Sequence, residues 1–112
     1  MKYIKLGSVR AFPRVAPDKA QALKVLEEAS ETVEAFKKWL DEHFRCRASW
    51  CHDGDGDEIA MREVLMDEIA DTIQACCNLA AALGVDDMTP YLARCEERNR
   101  KRGRYDKEQQ CK

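Results

Sequence analysis

Apolar residues recur at alternating spacings of four and three along two long stretches of this chain. Ala22, Leu26, Ala29, Val33, Phe36 and Leu40 make the first series. Leu65, Ile69, Thr72, Cys76, Leu79 and Leu83 make the second, with Thr72 as its polar member. That period puts each series on one face of an α-helix and matches the seam of a helical bundle. The second stretch carries another apolar flank, Met66, Ala70, Ile73, Cys77 and Ala81. A helix apolar on two sides must be covered on two sides, and another subunit is a natural cover.

Local signals set the expected boundaries. Pro17-Asp18 opens the first helix, where Asp18 and Gln21 resemble a capping box, and the helix runs to about His43 or Phe44. A loop follows from Arg45 to Asp57, containing Gly54 and Gly56. Asp55 with Glu58 is a second cap. Gly84 suits the position that ends the second helix. Thr89-Pro90 restarts the chain as N-cap and first helical residue. The third helix ends near Arg102, stopped by Gly103, and has a modest apolar side in Tyr91, Leu92 and Cys95. Residues 1–16 read as an irregular segment and 105–112 as a polar tail.

At 112 residues the chain is one domain. With 45% hydrophobic residues it has material for a packed core, and 5 Gly and 3 Pro among many charged helix formers favour an all-α fold. The expectation is a helical bundle of long antiparallel helices plus a shorter C-terminal helix. So few helices leave little room for a private core, so a homo-oligomer, dimer or tetramer, is expected to complete it. A net charge of −2 gives no global field toward nucleic acid. The exception is local: residues 94–104 hold Arg94, Arg98, Arg100, Lys101, Arg102 and Arg104 against Glu96 and Glu97. Nucleic-acid binding through this helix is opposed by the acidic first half. No membrane-length apolar stretch and no leader-like apolar run are seen. Six cysteines are present, but Cys76 and Cys77 are adjacent within a helix. They read as reduced thiols of a cytoplasmic protein, with Cys76 filling core.

Two acidic motifs border the apolar stripes. One is Glu28-Ala29-Ser30-Glu31, preceded by Glu27; the other is Glu68-Ile69-Ala70-Asp71. Acids three apart share one side of a helix, with Cβ atoms about 5–6 Å apart. Exposed helices are rich in glutamate, so salt bridges to Lys24, Lys37 and Lys38 would explain the first motif alone. The second sits in a stretch, Ile69 to Val85, whose only charge is Asp71. An acid there is costly to bury without a cation or partner. On two antiparallel helices four acids can converge. Mg²⁺ takes oxygen ligands and often bridges to phosphate, which points to phosphate chemistry.

With these motifs the chain resembles the MazG-like, all-α nucleoside triphosphate pyrophosphohydrolases. The resemblance spans roughly residues 18–105. It rests on Val25-Leu26-Glu27-Glu28-Ala29-Ser30-Glu31, on Met66-Asp67-Glu68-Ile69-Ala70-Asp71, and on Glu97-Arg98-Asn99-Arg100-Lys101-Arg102-Gly103. It implies Glu28, Glu31, Glu68 and Asp71 as ligands of Mg²⁺, with Mn²⁺ as an alternative. It implies hydrolysis of a nucleoside triphosphate to monophosphate and pyrophosphate, as in nucleotide-pool cleaning. Divalent cations would offset the substrate's charge and orient the leaving group. Glu27 or Glu31 would accept a proton from water. Asn99, Lys101 and Arg102 would hold the outer phosphates. Trp39, Trp50 and Tyr91 are candidates to stack the base, although packing is the commoner role for each.

Rival readings are weaker. Asp53, Asp55 and Asp57 imitate the start of a calcium loop, but Asp57-Glu58 stands where glycine is needed and Val64 occupies the twelfth position. Cys46, Cys51 and His52 offer three zinc ligands at no standard spacing. The competing function is a non-catalytic helical interaction module whose acids serve surface salt bridges.

Overall fold

A computed structural model describes residues 2–48 and 54–106. Three helices appear, α1 (Lys19–Ala48), α2 (Gly54–Ala82) and α3 (Thr89–Lys101). The described residues contain no strand. Among the described residues no helix is long and apolar enough to cross a membrane.

The ends follow capping chemistry, with three departures from expectation. Asp18 Oδ1 accepts the Gln21 backbone N–H at 2.9 Å, the N-terminal cap read from the sequence. α1 then continues to Ala48, because Phe44-Arg45-Cys46-Arg47-Ala48 holds no breaker. α2 is already helical at Gly54, so Asp55 lies inside the helix and the loop is shorter than Arg45–Asp57. At its other end, Val85 N donates to Ala80 O (3.0 Å) and Gly84 N to Ala81 O (2.9 Å), with Gly84 at φ +82°. This paired closure needs the left-handed backbone that glycine adopts freely. At α3, Thr89 is helical and Met88 is the cap residue. The acceptor is Asp87, whose Oδ1 takes the Thr89 N–H at 2.9 Å. Thr89's hydroxyl and N–H hold the Asp87 carboxyl below its ordinary range. The expected end at Gly103 holds: Arg104 N donates to Asn99 O and Gly103 N to Arg100 O, each at 3.0 Å.

α1 and α2 form an antiparallel hairpin: Thr32 meets Thr72 while His43 meets Glu58. The inward stripe of α1 is Val25, Glu28, Thr32, Ala35 and Trp39. It has the expected four–three period but lies one residue earlier than the apolar series. Leu26, Val33 and Phe36 are therefore exposed, Leu26 by 67%. On α2 the inward stripe is Leu65, Glu68, Thr72, Ala75 and Leu79. Leu65, Thr72 and Leu79 match the expected series, whereas Ile69, Cys76 and Leu83 are exposed. Cys76 is thus not core filler. At mid-length the inward residues are small, Thr32 and Ala35 on α1 and Thr72 and Ala75 on α2, with Val25, Trp39, Leu65 and Leu79 as the larger members of the two stripes.

The result is an open molecule. Its accessible surface is 9501 Å², against about 6,300 Å² for a compact monomer of this mass. Its radius of gyration is 17.7 Å, against about 13 Å for a compact chain of this length. Among the described residues α3 makes no packing contact with α1 or α2, and it has no buried residue. The extended N-terminal segment lies along α2 instead. Phe12 N donates to Asn78 Oδ1 at 3.0 Å, and Gln74 Nε2 donates to Arg10 O at 2.9 Å.

Candidate metal centre

The acids meet between α1 and α2. Glu28, Glu68 and Asp71 each offer a carboxylate oxygen, all within 4.8 Å of one another. Opposite ligands of an octahedral Mg²⁺ stand about 4 Å apart, so this spacing suits such an ion. Glu28 and Glu68 are half-buried and Asp71 is exposed. Glu68 Oε2 is shielded from solvent and has no hydrogen-bond partner. A buried, unpartnered carboxylate oxygen is costly unless a cation meets it. The Glu28 carboxyl is pushed above its ordinary range, first by desolvation, then by its hydrogen bond to Glu31 and by the Glu31 charge; Asp71 adds to this and Lys24 opposes it. Lys24 Nζ lies 3.7 Å from Glu28 but 3.1 Å from Glu27, on the outer side. One lysine thus leaves the group electron-rich, and Glu28, Glu68 and Asp71, with Glu31 alongside, are the residues that could hold a divalent cation.

Two threonines fix the helices behind this group. Thr32 Oγ1 lies 3.0 Å from Thr72 Oγ1, 3.0 Å from Glu28 O and 3.1 Å from Glu68 O. Thr72 Oγ1 lies 3.0 Å from Glu68 O. Two hydroxyl protons serve these four contacts, so each proton has an acceptor whichever threonine donates to the other. The clasp ties the backbone of Glu68 to α1 and sets the height at which Glu28 faces Glu68.

The other sequence candidates lie apart from one another. Glu31 lines a cleft of about 220 Å³ together with Glu34, Lys38, Val64 and Glu68. Glu27 faces outward in its ion pair with Lys24. Trp39 lies eleven residues from Glu28, about 16 Å along the helix axis. It stacks on His43 (centroids 5.1 Å apart) and lines a separate cleft of about 390 Å³ with Glu58, Ile59 and Arg62. Its buried Nε1 has no partner. Trp50, Cys51 and His52 lie outside the described residues.

The α3 candidates are not brought to the acids within one chain, because α3 has no apolar face large enough to dock on the hairpin. Asn99 serves its own helix end, accepting from Arg104 Nη1 at 3.3 Å. Arg102 is the C-terminal cap residue and, like Lys101, is exposed. Tyr91 packs under Arg94, whose Cζ sits 5.2 Å from the ring centroid.

Reading the sequence by apolar period missed Thr32, Gln74 and Asn78. A signal for the threonines was present: Glu28-Ala29-Ser30-Glu31-Thr32 and Glu68-Ile69-Ala70-Asp71-Thr72 repeat one pattern, glutamate, two residues, an acid and threonine. Comparisons with known proteins return nothing: no family model, no curated protein and no solved structure matches the chain.

Proposed function

We propose that the chain is a divalent-metal-dependent nucleotide pyrophosphohydrolase, cutting a nucleoside triphosphate to monophosphate and pyrophosphate in the manner of the MazG-like enzymes it resembles. One observation carries the reading: three carboxylates from two helices converge, and one of them, Glu68, has a buried oxygen without a partner. Glu28, Glu68 and Asp71 are the proposed ligands of Mg²⁺ or Mn²⁺. The bound cation would supply charge neutralisation for the polyphosphate. Glu31 is the better of the two candidate bases, because it lines the cleft beside Glu68 whereas Glu27 is engaged with Lys24. The Thr32–Thr72 clasp holds the ligands in place without itself touching substrate.

The exposed apolar face favours a second element of the account, a homo-oligomer. Leu26, Val33, Phe36, Ile69 and Leu83 are more than one-third exposed. The chain shows about 3,000 Å² more surface than a compact monomer, ample for a standard interface of about 800 Å² per partner. The same face would also suit an interaction module without catalysis.

Thermal stability separates the two. Ligands that bind only the folded state stabilise it by about 2.7 kcal/mol at a hundred times Kd. The enzyme reading expects Mg²⁺ with a nucleoside triphosphate to raise Tm by several degrees, and Glu68→Gln to abolish the rise. A module would show the same Tm with and without both ligands.

A further inference from the structure

Residues 2–17 contain Lys2, Lys5, Arg10 and Arg14 and no aspartate or glutamate. This segment is strapped to α2 by side chains on the same stripe as a proposed metal ligand. Asp71, Gln74 and Asn78 are spaced three and four apart, so they line one side of the helix. Gln74 Nε2 holds the carbonyl of Arg10 at 2.9 Å, and Asn78 Oδ1 holds the N–H of Phe12 at 3.0 Å. A further bond from Gln74 Nε2 to Asn78 Oδ1, 2.9 Å, joins the two anchors. Asn78 is 3% exposed and is the one polar residue among the buried side chains described. The strap therefore meets α2 at Gln74 and Asn78, and Gln74 lies about one helical turn, roughly 5 Å along the axis, from Asp71. Val9 and Ala11 are half-buried while Arg10 is exposed, so backbone and neighbours are held and the guanidinium is free to swing. No ion pair among the described residues involves Arg10 or Arg14.

We propose that Arg10, held over α2 by Gln74 and Asn78, binds the polyphosphate of a substrate bound at the Glu28–Glu68–Asp71 centre. This rests on the reading above and names a cation that it lacked, since the basic residues of α3 do not reach the centre within one chain. Cations in the strap complement the chemistry. A carboxylate cluster alone repels a triphosphate, and an arginine on the strap beside it supplies charge-assisted bonds to its oxygens. Asn78 is a positioning residue, acting through the strap. Its burial follows from that duty, because its amide oxygen satisfies both the Phe12 N–H and the Gln74 side chain.

The test uses inorganic tripolyphosphate with Mg²⁺ as the probe, measured by calorimetry on the full chain. Arg10→Ala is expected to weaken tripolyphosphate binding about tenfold or more and orthophosphate binding by much less, while Arg62→Ala, on the far cleft, leaves both unchanged. Asn78→Ala is expected to weaken tripolyphosphate similarly, to expose Arg10 and Arg14 to trypsin, and to add little to Arg10→Ala in the double variant. Should Asn78→Ala unfold, Gln74→Ala replaces it, since that side chain holds the Arg10 carbonyl directly. Parental affinity in Arg10→Ala would overturn the role of the strap while the parent's Mg²⁺-dependent binding upheld the metal centre. Additive losses in the double variant would overturn the positioning role. A parent that does not bind tripolyphosphate with Mg²⁺ would overturn both readings together.

Discussion

The inner seam of the hairpin and its outer face use opposite residues. Inside, Glu28, Thr32 and Ala35 meet Glu68, Thr72 and Ala75. Outside stand Leu26, Val33, Phe36 and Ile69, all more than one-third exposed. A chain folding only to bury apolar surface would reverse this arrangement. The seam is polar at mid-length, where it carries the carboxylates and the threonine hydroxyls, and Val25, Trp39, Leu65 and Leu79 make up its apolar remainder. Small side chains bring the two backbones close enough for those groups to meet. The large apolar residues are left on the exposed face, so carboxylates and apolar surface are divided between two surfaces of the same helices.

The largest effect should come from the seam. Glu68→Gln keeps the shape and removes the charge at the convergence point. Misplaced electrostatic stabilisation typically costs about 10²–10³ in turnover, and pyrophosphate release should fall by at least that much. Near-parental turnover would show that the converging acids are ordinary surface charge.

Next is the outer face. Phe36→Asp should dissociate the assembly, read as a fall to monomer mass in sedimentation at micromolar concentration. A parent that is already a monomer would break this half of the comparison and leave the apolar residues without an assigned cover.

Packing sharpens the contrast at a smaller scale. Ala35→Leu overfills the close approach and should cost about 1–3 kcal/mol in denaturant unfolding. Leu26→Ala, on the exposed face of the same helix, should change the stability of the hairpin little, and should weaken assembly instead. Equal effects in both assays would erase the distinction between the surfaces.

How far could this be read beforehand? The helices, the Asp18 cap and the stops at Gly84 and Gly103 were legible, because period and capping are local. Carboxylates three apart on two successive helices were legible as a convergence. Phase was not. The apolar series in α1 lies one residue from the true contact stripe, because hydrophobicity marks what must be covered and does not say by which neighbour. Thr32 and Thr72 carry the contact through small size and hydroxyl bonds, which an apolar pattern ignores. Nor could the sequence say that Asn99, Lys101 and Arg102 lie apart from the acids, since helix docking depends on faces that α3 lacks. Arg10 was hidden for a related reason: an extended segment has no period, and its anchors at Gln74 and Asn78 are distant in sequence.

The smallest effect concerns protons. The Glu28 carboxyl is raised above its ordinary value, so in the folded state its charged form is disfavoured. The folded state then binds more protons than the unfolded chain just above the ordinary glutamate range. Stability from this group is full below that range and is lost as pH rises through the raised value. Without metal, Glu28→Gln should therefore be more stable than the parent at neutral pH, and the difference should vanish in acid. Thermal melts across pH check this, and an unchanged profile would remove Glu28 from the electrostatic account.

The most direct test is the identity of the products. ³¹P NMR on the purified chain incubated with a panel of common and modified nucleoside triphosphates should show, for at least one, monophosphate and pyrophosphate formed with Mg²⁺ and neither formed with chelator. Diphosphate and orthophosphate as products, or no turnover of any triphosphate with Mg²⁺ or Mn²⁺, would contradict the assignment of the Glu28–Glu68–Asp71 centre to this reaction.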